Sequence, residues 1–246
     1  REKFTPHLIQ QAGAYYFIDS LRQKLSTNVK KALQKYPLPG LINALTTGIR
    51  TEVTNKQWQV MRGTGTNHLF AISGLHLAFI AGFIYWIVRL ICCRLPYVTL
   101  YIPAPKIASA LTLLIAVFYS ALAGFSIPTQ RALLMLVAFS MTRIQQRYLT
   151  SWHSFHLALL IILIIEPFTV LSASFWLSFI AVILIFYAVS NRIKPLANWR
   201  AWCRIQVTVS LGLIPLSLLF FHQISLISFA ANLIAIPSIG FIILPI

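Results

Sequence analysis

The chain has 246 residues, 58% of them hydrophobic and 10% charged, with 20 Lys and Arg against 4 Asp and Glu for a net charge of +16. A soluble domain carries roughly a quarter charged residues and under half apolar ones, so this balance excludes a water-soluble globular protein and fits several membrane crossings of about 20 residues each. Cys92, Cys93 and Cys203 exclude a disulfide framework, because a vicinal pair does not readily bridge itself and one thiol is left over.

No charged start followed by a short apolar core and a cleavage site opens the chain, so no signal peptide is expected. The start at Arg1 and the stop inside an apolar run at Ile246 predict a piece of a longer protein. Residues 14–36 read as one amphipathic helix. Ile18, Leu21, Leu25, Val29, Ala32, Leu33 and Tyr36 gather on one arc, and Lys24, Lys30, Lys31 and Lys35 occupy the rest of the wheel. Such a helix is too charged to cross a bilayer. It lies in the headgroup layer, and its lysines are candidates for contact with lipid phosphates or with a polyanion. Pro37, Pro39 and Gly40 end it, and residues 41–62 form a second, less regular polar segment. The division expected is 1–62 as an interfacial segment and 63–246 as a membrane domain.

Apolar blocks follow at 68–91, 106–123, 128–142, 152–165, 174–190, 205–221 and 226–246, predicting an all-α bundle of about seven spans. The third and fourth are short, which predicts tilted or broken helices there. Alternate connections carry Arg89, Arg94, Lys106, Arg143, Arg147, Arg192, Lys194, Arg200 and Arg204, whereas the intervening ones carry Arg131 alone. That bias puts the basic connections in the cytoplasm and the amino-terminal helix on the other side.

Polar residues inside the apolar blocks are the site candidates, since hydrocarbon offers them no partners. His68, Ser73 and His76 can share one broad face of the first span, and Gly74 removes bulk beside them. Helix packing is one reading of this group. A Ser73 nucleophile with His76 as base is another, disfavoured by the i, i+3 spacing and by the lack of a neighbouring carboxylate. The stretch Gly124–Arg131 predicts a break before Pro128 and a helix that begins at membrane depth, its free amides and positive dipole end turned toward a cavity. Gln130 and Arg131 stand in that first turn. Arg131 pairs with Glu166, snorkels to the surface or contacts phosphate. Glu166-Pro167 marks a span end, and Asn232 is an amide inside an apolar span. His153 and His156 beside Trp152 are half a metal site without a cysteine or carboxylate, so no metal or cofactor is expected.

Four segments together resemble one family. His68-Leu69-Phe70-Ala71-Ile72-Ser73-Gly74-Leu75-His76 is similar to the H-L-x-A-I-S-G-L-H signature of the ComEC-type competence channel family of bacterial DNA uptake. Gly124–Met135, then Glu166-Pro167 with Phe175–Ala181, and Ala231–Pro237 fit the same family in the same order. One position departs from the family pattern, which has a glutamine where this chain has Trp176. The resemblance implies an inner-membrane channel, without enzymatic activity of its own, that passes single-stranded DNA into the bacterial cytoplasm. Membrane lipids and other DNA-uptake proteins on both sides of the membrane are its implied partners, and His68, Ser73, Gly74, His76, Gln130, Arg131 and Asn232 are its path candidates. No H-x-H-x-D-H zinc motif and no strand-rich stretch is present, so no nuclease activity is assigned to this chain. The residues alone leave two other readings: an intramembrane hydrolase using Ser73 and His76, and a secondary transporter of a small anion.

Overall fold

The computed structural model describes residues 13–33, 39–49, 53–66, 73–144, 151–190, 198–222 and 228–240, and these are mostly helical, with no strand among them. Among the described residues, three helices precede the first apolar block: α1 (Gly13–Leu33), α2 (Pro39–Thr47) and α3 (Asn55–Gly63). The apolar blocks then become α4 (Gly74–Arg94), α6 (Ala104–Leu122), α7 (Ile127–Ile144), α8 (Ser151–Ile165), α9 (Ala173–Ser190), α10 (Asn198–Phe221) and α11 (Ser228–Ser238), with the short α5 (Pro96–Thr99) after α4. A 3-10 turn, Pro167–Leu171, links α8 to α9.

By length and composition α4, α6 and α10 are each sufficient to cross a bilayer, while the apolar parts of α7, α8 and α9 are shorter. Their outward surfaces are those of a protein solvated by lipid. Phe83, Trp86 and Ile91 on α4, Leu114 and Phe118 on α6, and Leu211 and Leu219 on α10 are all more than half exposed. Each fully exposed side chain of this size costs roughly 1.5–3 kcal/mol in water relative to burial, so a surface so dense in them is stable only against hydrocarbon. The chain is an all-α membrane protein.

Helix packing follows from small residues. Ala104, Ala108, Thr112, Ala116 and Ser120 recur every fourth position along α6, and all are buried. This stripe lets α4 and α7 approach α6 closely, the means by which helices associate where lipid removes the hydrophobic drive. Aromatic packing joins α8 to α9. Phe155, Ile162, Phe175 and Phe179 form a buried cluster covered by Leu134 and Met135 of α7, and the Phe175 and Phe179 rings lie 4.6 Å apart.

The amino-terminal region differs in two ways from the sequence expectation. Residues 41–62 are not irregular: they hold most of α2 and α3, nine residues each. Helix α1 ends its described course at Leu33, and the polar flank of its apolar arc is turned inward. Ser26 is buried and accepts a hydrogen bond from Asn43 Nδ2 of α2 at 2.9 Å, and Arg22 Nε donates to the Thr47 carbonyl at 2.7 Å. Phe17 and Leu25 are left 65% and 42% exposed on the outer side, next to exposed Lys24 and Lys31.

Candidate functional site

The site is built on the turn between α6 and α7. Gly124 at φ +71° and Phe125 at φ +45° are consecutive left-handed residues that reverse the chain, and the Phe125 amide donates to the Ser120 carbonyl at 2.9 Å. The turn then meets Ser126, whose carbonyl accepts the Gln130 amide at 2.9 Å and the Thr129 hydroxyl at 2.6 Å. Helix α7 starts one residue before Pro128, as the missing proline amide predicts. Gln130 Nε2 donates to the Phe125 carbonyl at 2.9 Å, so this amide braces the turn.

Arg131 is the most informative residue. It is 4% exposed, and Nη2 donates to Ser174 Oγ on the first turn of α9 at 3.1 Å. Nε and Nη1 are buried with no hydrogen-bond partner. Helical side chains lean toward the amino terminus, which lays this guanidinium back over the start of α7. There it lines a small cleft, about 30 Å³, with Ile127, Gln130, Leu134, Ile162, Ile165 and Glu166. Of the three readings, the surface-snorkelling one is overturned by this burial. Glu166 acts on the guanidinium through its charge, while the hydrogen bond goes to Ser174: the exposed carboxylate shares the cleft without hydrogen-bonding the guanidinium.

Two more helix amino termini meet this one. Gly74 opens α4, and a methyl group added to it would stand 2.9 Å from Ala132 Cβ and 3.7 Å from the Pro128 carbonyl oxygen. Only glycine allows the first turns of α4 and α7 to touch in this way. Beside it, the Ser73 amide donates to His76 Nδ1 at 3.1 Å, a capping box in which the imidazole takes the place of the usual carboxylate. The Ser73 hydroxyl lies 3.0 Å from the same nitrogen, and His76 is fully buried. Since a backbone N–H can only donate, Nδ1 is the acceptor and the neutral ring carries its proton on Nε2. A lone pair already engaged by an amide is a poor base for the adjacent hydroxyl.

The structure therefore brings Ser73, Gly74 and His76 against the α7 turn that carries Gln130 and Arg131. Asn232 is not among the residues lining the Arg131 cleft; its Oδ1 is buried without a hydrogen-bond partner on α11. Two residues beyond the end of α11, Gly240 packs on the Phe79 ring of α4. His68 and Lys35 lie outside the described residues. Trp176, at the position where the family pattern has glutamine, donates its indole N–H to the Val170 carbonyl at 2.9 Å and so secures the 3-10 turn. His156 Nδ1 bonds the Trp152 carbonyl at 2.7 Å within α8, and no group of three metal-ligating side chains occurs among the described residues. Sequence reasoning missed Ser174 and Arg22. The guanidinium of Arg22 covers Gly124, where an added methyl would fall 2.5 Å from Nη1.

Residues 45–246 match the family model described as "Competence protein". The chain is 34% identical over 236 residues to "Uncharacterized protein YcaI" of Escherichia coli (strain K12), covering 92% of this chain and 30% of that protein. It is 33% identical over 240 residues to "Recombination protein 2" of Haemophilus influenzae, with 93% and 30% covered. It is also 32% identical over 245 residues to "Competence protein ComA" of Neisseria gonorrhoeae, with 97% and 34% covered. The chain thus spans about a third of the length of the curated relatives it matches. No solved structure matches it. With two relatives named for competence or recombination and a family model over most of its length, the chain belongs to the Competence protein family.

Proposed function

We propose that this chain is the membrane-embedded part of a bacterial DNA-uptake protein and that it passes single-stranded DNA across the inner membrane. Family membership supports the process. The observation that carries the passage reading is the junction of two signature segments: Gly74 seats the start of α4 on the first turn of α7, so that the turns carrying Ser73, His76, Gln130 and Arg131 adjoin. A strand of phosphates needs amides, hydroxyls and a few cations along its way, and too many cations would hold it fast. In this reading residues 1–62 lie against the non-cytoplasmic face, with Phe17 and Leu25 in the lipid interface and Lys24, Lys30 and Lys31 toward phosphates. Other uptake proteins deliver the strand on one side and receive it on the other.

A second reading, intramembrane hydrolysis, has one observation in its favour, the 3.0 Å approach of the Ser73 hydroxyl to His76 Nδ1. One experiment separates the two. In cells whose only copy is the full-length Ser73→Ala protein, uptake of duplex DNA labelled in one strand should still deliver label as internalised single strand. Loss of that signal with normal membrane insertion would defeat the passage reading, and covalent capture of Ser73 by a serine-reactive probe would establish the hydrolase.

A further inference from the structure

Arg131 sits where three long helices begin. Helix α7 carries it, Ser174 on the first turn of α9 holds Nη2, and the first turn of α4 packs on Pro128 and Ala132 beside it. Each helix amino terminus carries about half a positive charge. A fixed guanidinium there, with Nε and Nη1 both buried and without a hydrogen-bond partner, is a donor set suited to an anion. The opposite wall is of the other sign. It is made by Ile162 and Ile165 at the carbonyl end of α8 and by the Glu166 carboxylate that follows. The cleft between the walls is about 30 Å³, the share of roughly one water molecule in the liquid. A phosphate does not fit until the rim opens, and the exposed Glu166 side chain is the part of the rim able to swing clear.

We infer that the Arg131 cleft is a single-phosphate exchange site, at which a phosphodiester takes up the Nε and Nη1 donors and Glu166 is the carboxylate that limits its stay. This rests on the reading of the chain as a DNA passage and adds how the passage lets go. Arg131 and the positive end of α7, which line the cleft, attract the phosphate. Glu166, a few side-chain torsions away, repels it and offers the guanidinium an alternative partner. Strand movement needs that weakness, because a site that binds tightly does not conduct. Ser174 is a positioning residue: it fixes one nitrogen of the fork so that the other two face the cleft.

The test uses the full-length protein in detergent and a fluorescent single-stranded oligodeoxynucleotide, with affinity measured across a salt series and bound phospholipid counted by native mass spectrometry. Glu166→Gln should tighten oligonucleotide binding on the order of tenfold, the effect of removing one close like charge. Arg131→Gln should weaken binding and lower the slope of log affinity against log salt by about 0.7, one phosphate's worth for a single strand. The double variant should match Arg131→Gln. Arg131→Lys, which keeps the charge without the fork, should fall between wild type and Arg131→Gln, and it serves in place of Arg131→Gln if that protein does not fold. If Arg131→Gln weakens binding but Glu166→Gln does not strengthen it, the exchange site is overturned and the passage reading stands. If both variants bind oligonucleotide like wild type while Arg131→Gln sheds a retained phospholipid, the phosphate is a lipid headgroup and the proposal fails. If wild type binds no oligonucleotide, the passage reading falls and this site with it.

Discussion

Replacing Gly124 with alanine tests the docking of the amino-terminal helices onto the bundle. The new residue must adopt φ +71°, a left-handed conformation that costs an L-residue roughly 1–2 kcal/mol. Its methyl would also stand 2.5 Å from Arg22 Nη1 and 3.1 Å from Arg22 Cζ. Because the obstructing atoms end a flexible side chain, Arg22 moves rather than the backbone. That movement breaks the 2.7 Å bond from Nε to the Thr47 carbonyl. A charge-assisted hydrogen bond in this half-exposed position is worth about 1–2 kcal/mol. Gly124→Ala should therefore destabilise by about 2–4 kcal/mol and Arg22→Ala by about 1–2, while the double variant loses the hydrogen bond once and totals about 2–4. The singles should overshoot the double by about 1–2 kcal/mol, well outside the ~0.5 within which independent sites add. Helicity of the purified protein followed through a dodecyl sulfate titration gives the four stabilities. Strict additivity would refute the contact between α1 and the α6–α7 turn.

Gly74→Leu should be worse placed still, since even its first carbon lies 2.9 Å from Ala132 Cβ. Overpacking of about 1–3 kcal/mol is expected, relieved in part by Ala132→Gly in the same protein, and the same titration would show whether that rescue occurs. The topology is checked with single cysteines at positions 30 and 200, after Cys92, Cys93 and Cys203 are replaced. An impermeant thiol reagent on spheroplasts should label the first and spare the second, and the reverse pattern would invert the orientation.

Helix positions were open to sequence reasoning because hydrocarbon enforces them: an apolar block in a bilayer has no alternative to helix, and the seven blocks became α4 and α6 to α11. The break before Pro128 was legible for a local reason, the glycine and proline that frame it. Helices α2 and α3 were not, because nine residues are too few to hold a helix without tertiary contacts, and those of α2 are made with α1. The hydrogen-bond partner of Arg131 was out of reach for a related cause. Glu166 is the only carboxylate in the later connections, so charge alone selects it, yet the hydrogen bond goes to Ser174, 43 residues away in the chain, on a helix start that only the fold brings near. The roll of α1 is similar: its apolar arc was plain, but Asn43 and Thr47 decide which flank faces inward. The every-fourth small residue of α6 was readable and passed unnoticed among apolar letters of every size.

Helix α8 has 15 residues and ends next to the Arg131 cleft. It rises about 22 Å against a hydrocarbon core of about 30 Å, a shortfall of roughly 8 Å. A bilayer meets such a deficit by thinning and by drawing headgroups and water down to the helix end. In the passage reading proposed above, Arg131 and Glu166 then stand under a dimple in the membrane rather than at its dry centre, and a phosphate reaching them would cross a thinner slab of oil than the rest of the protein spans.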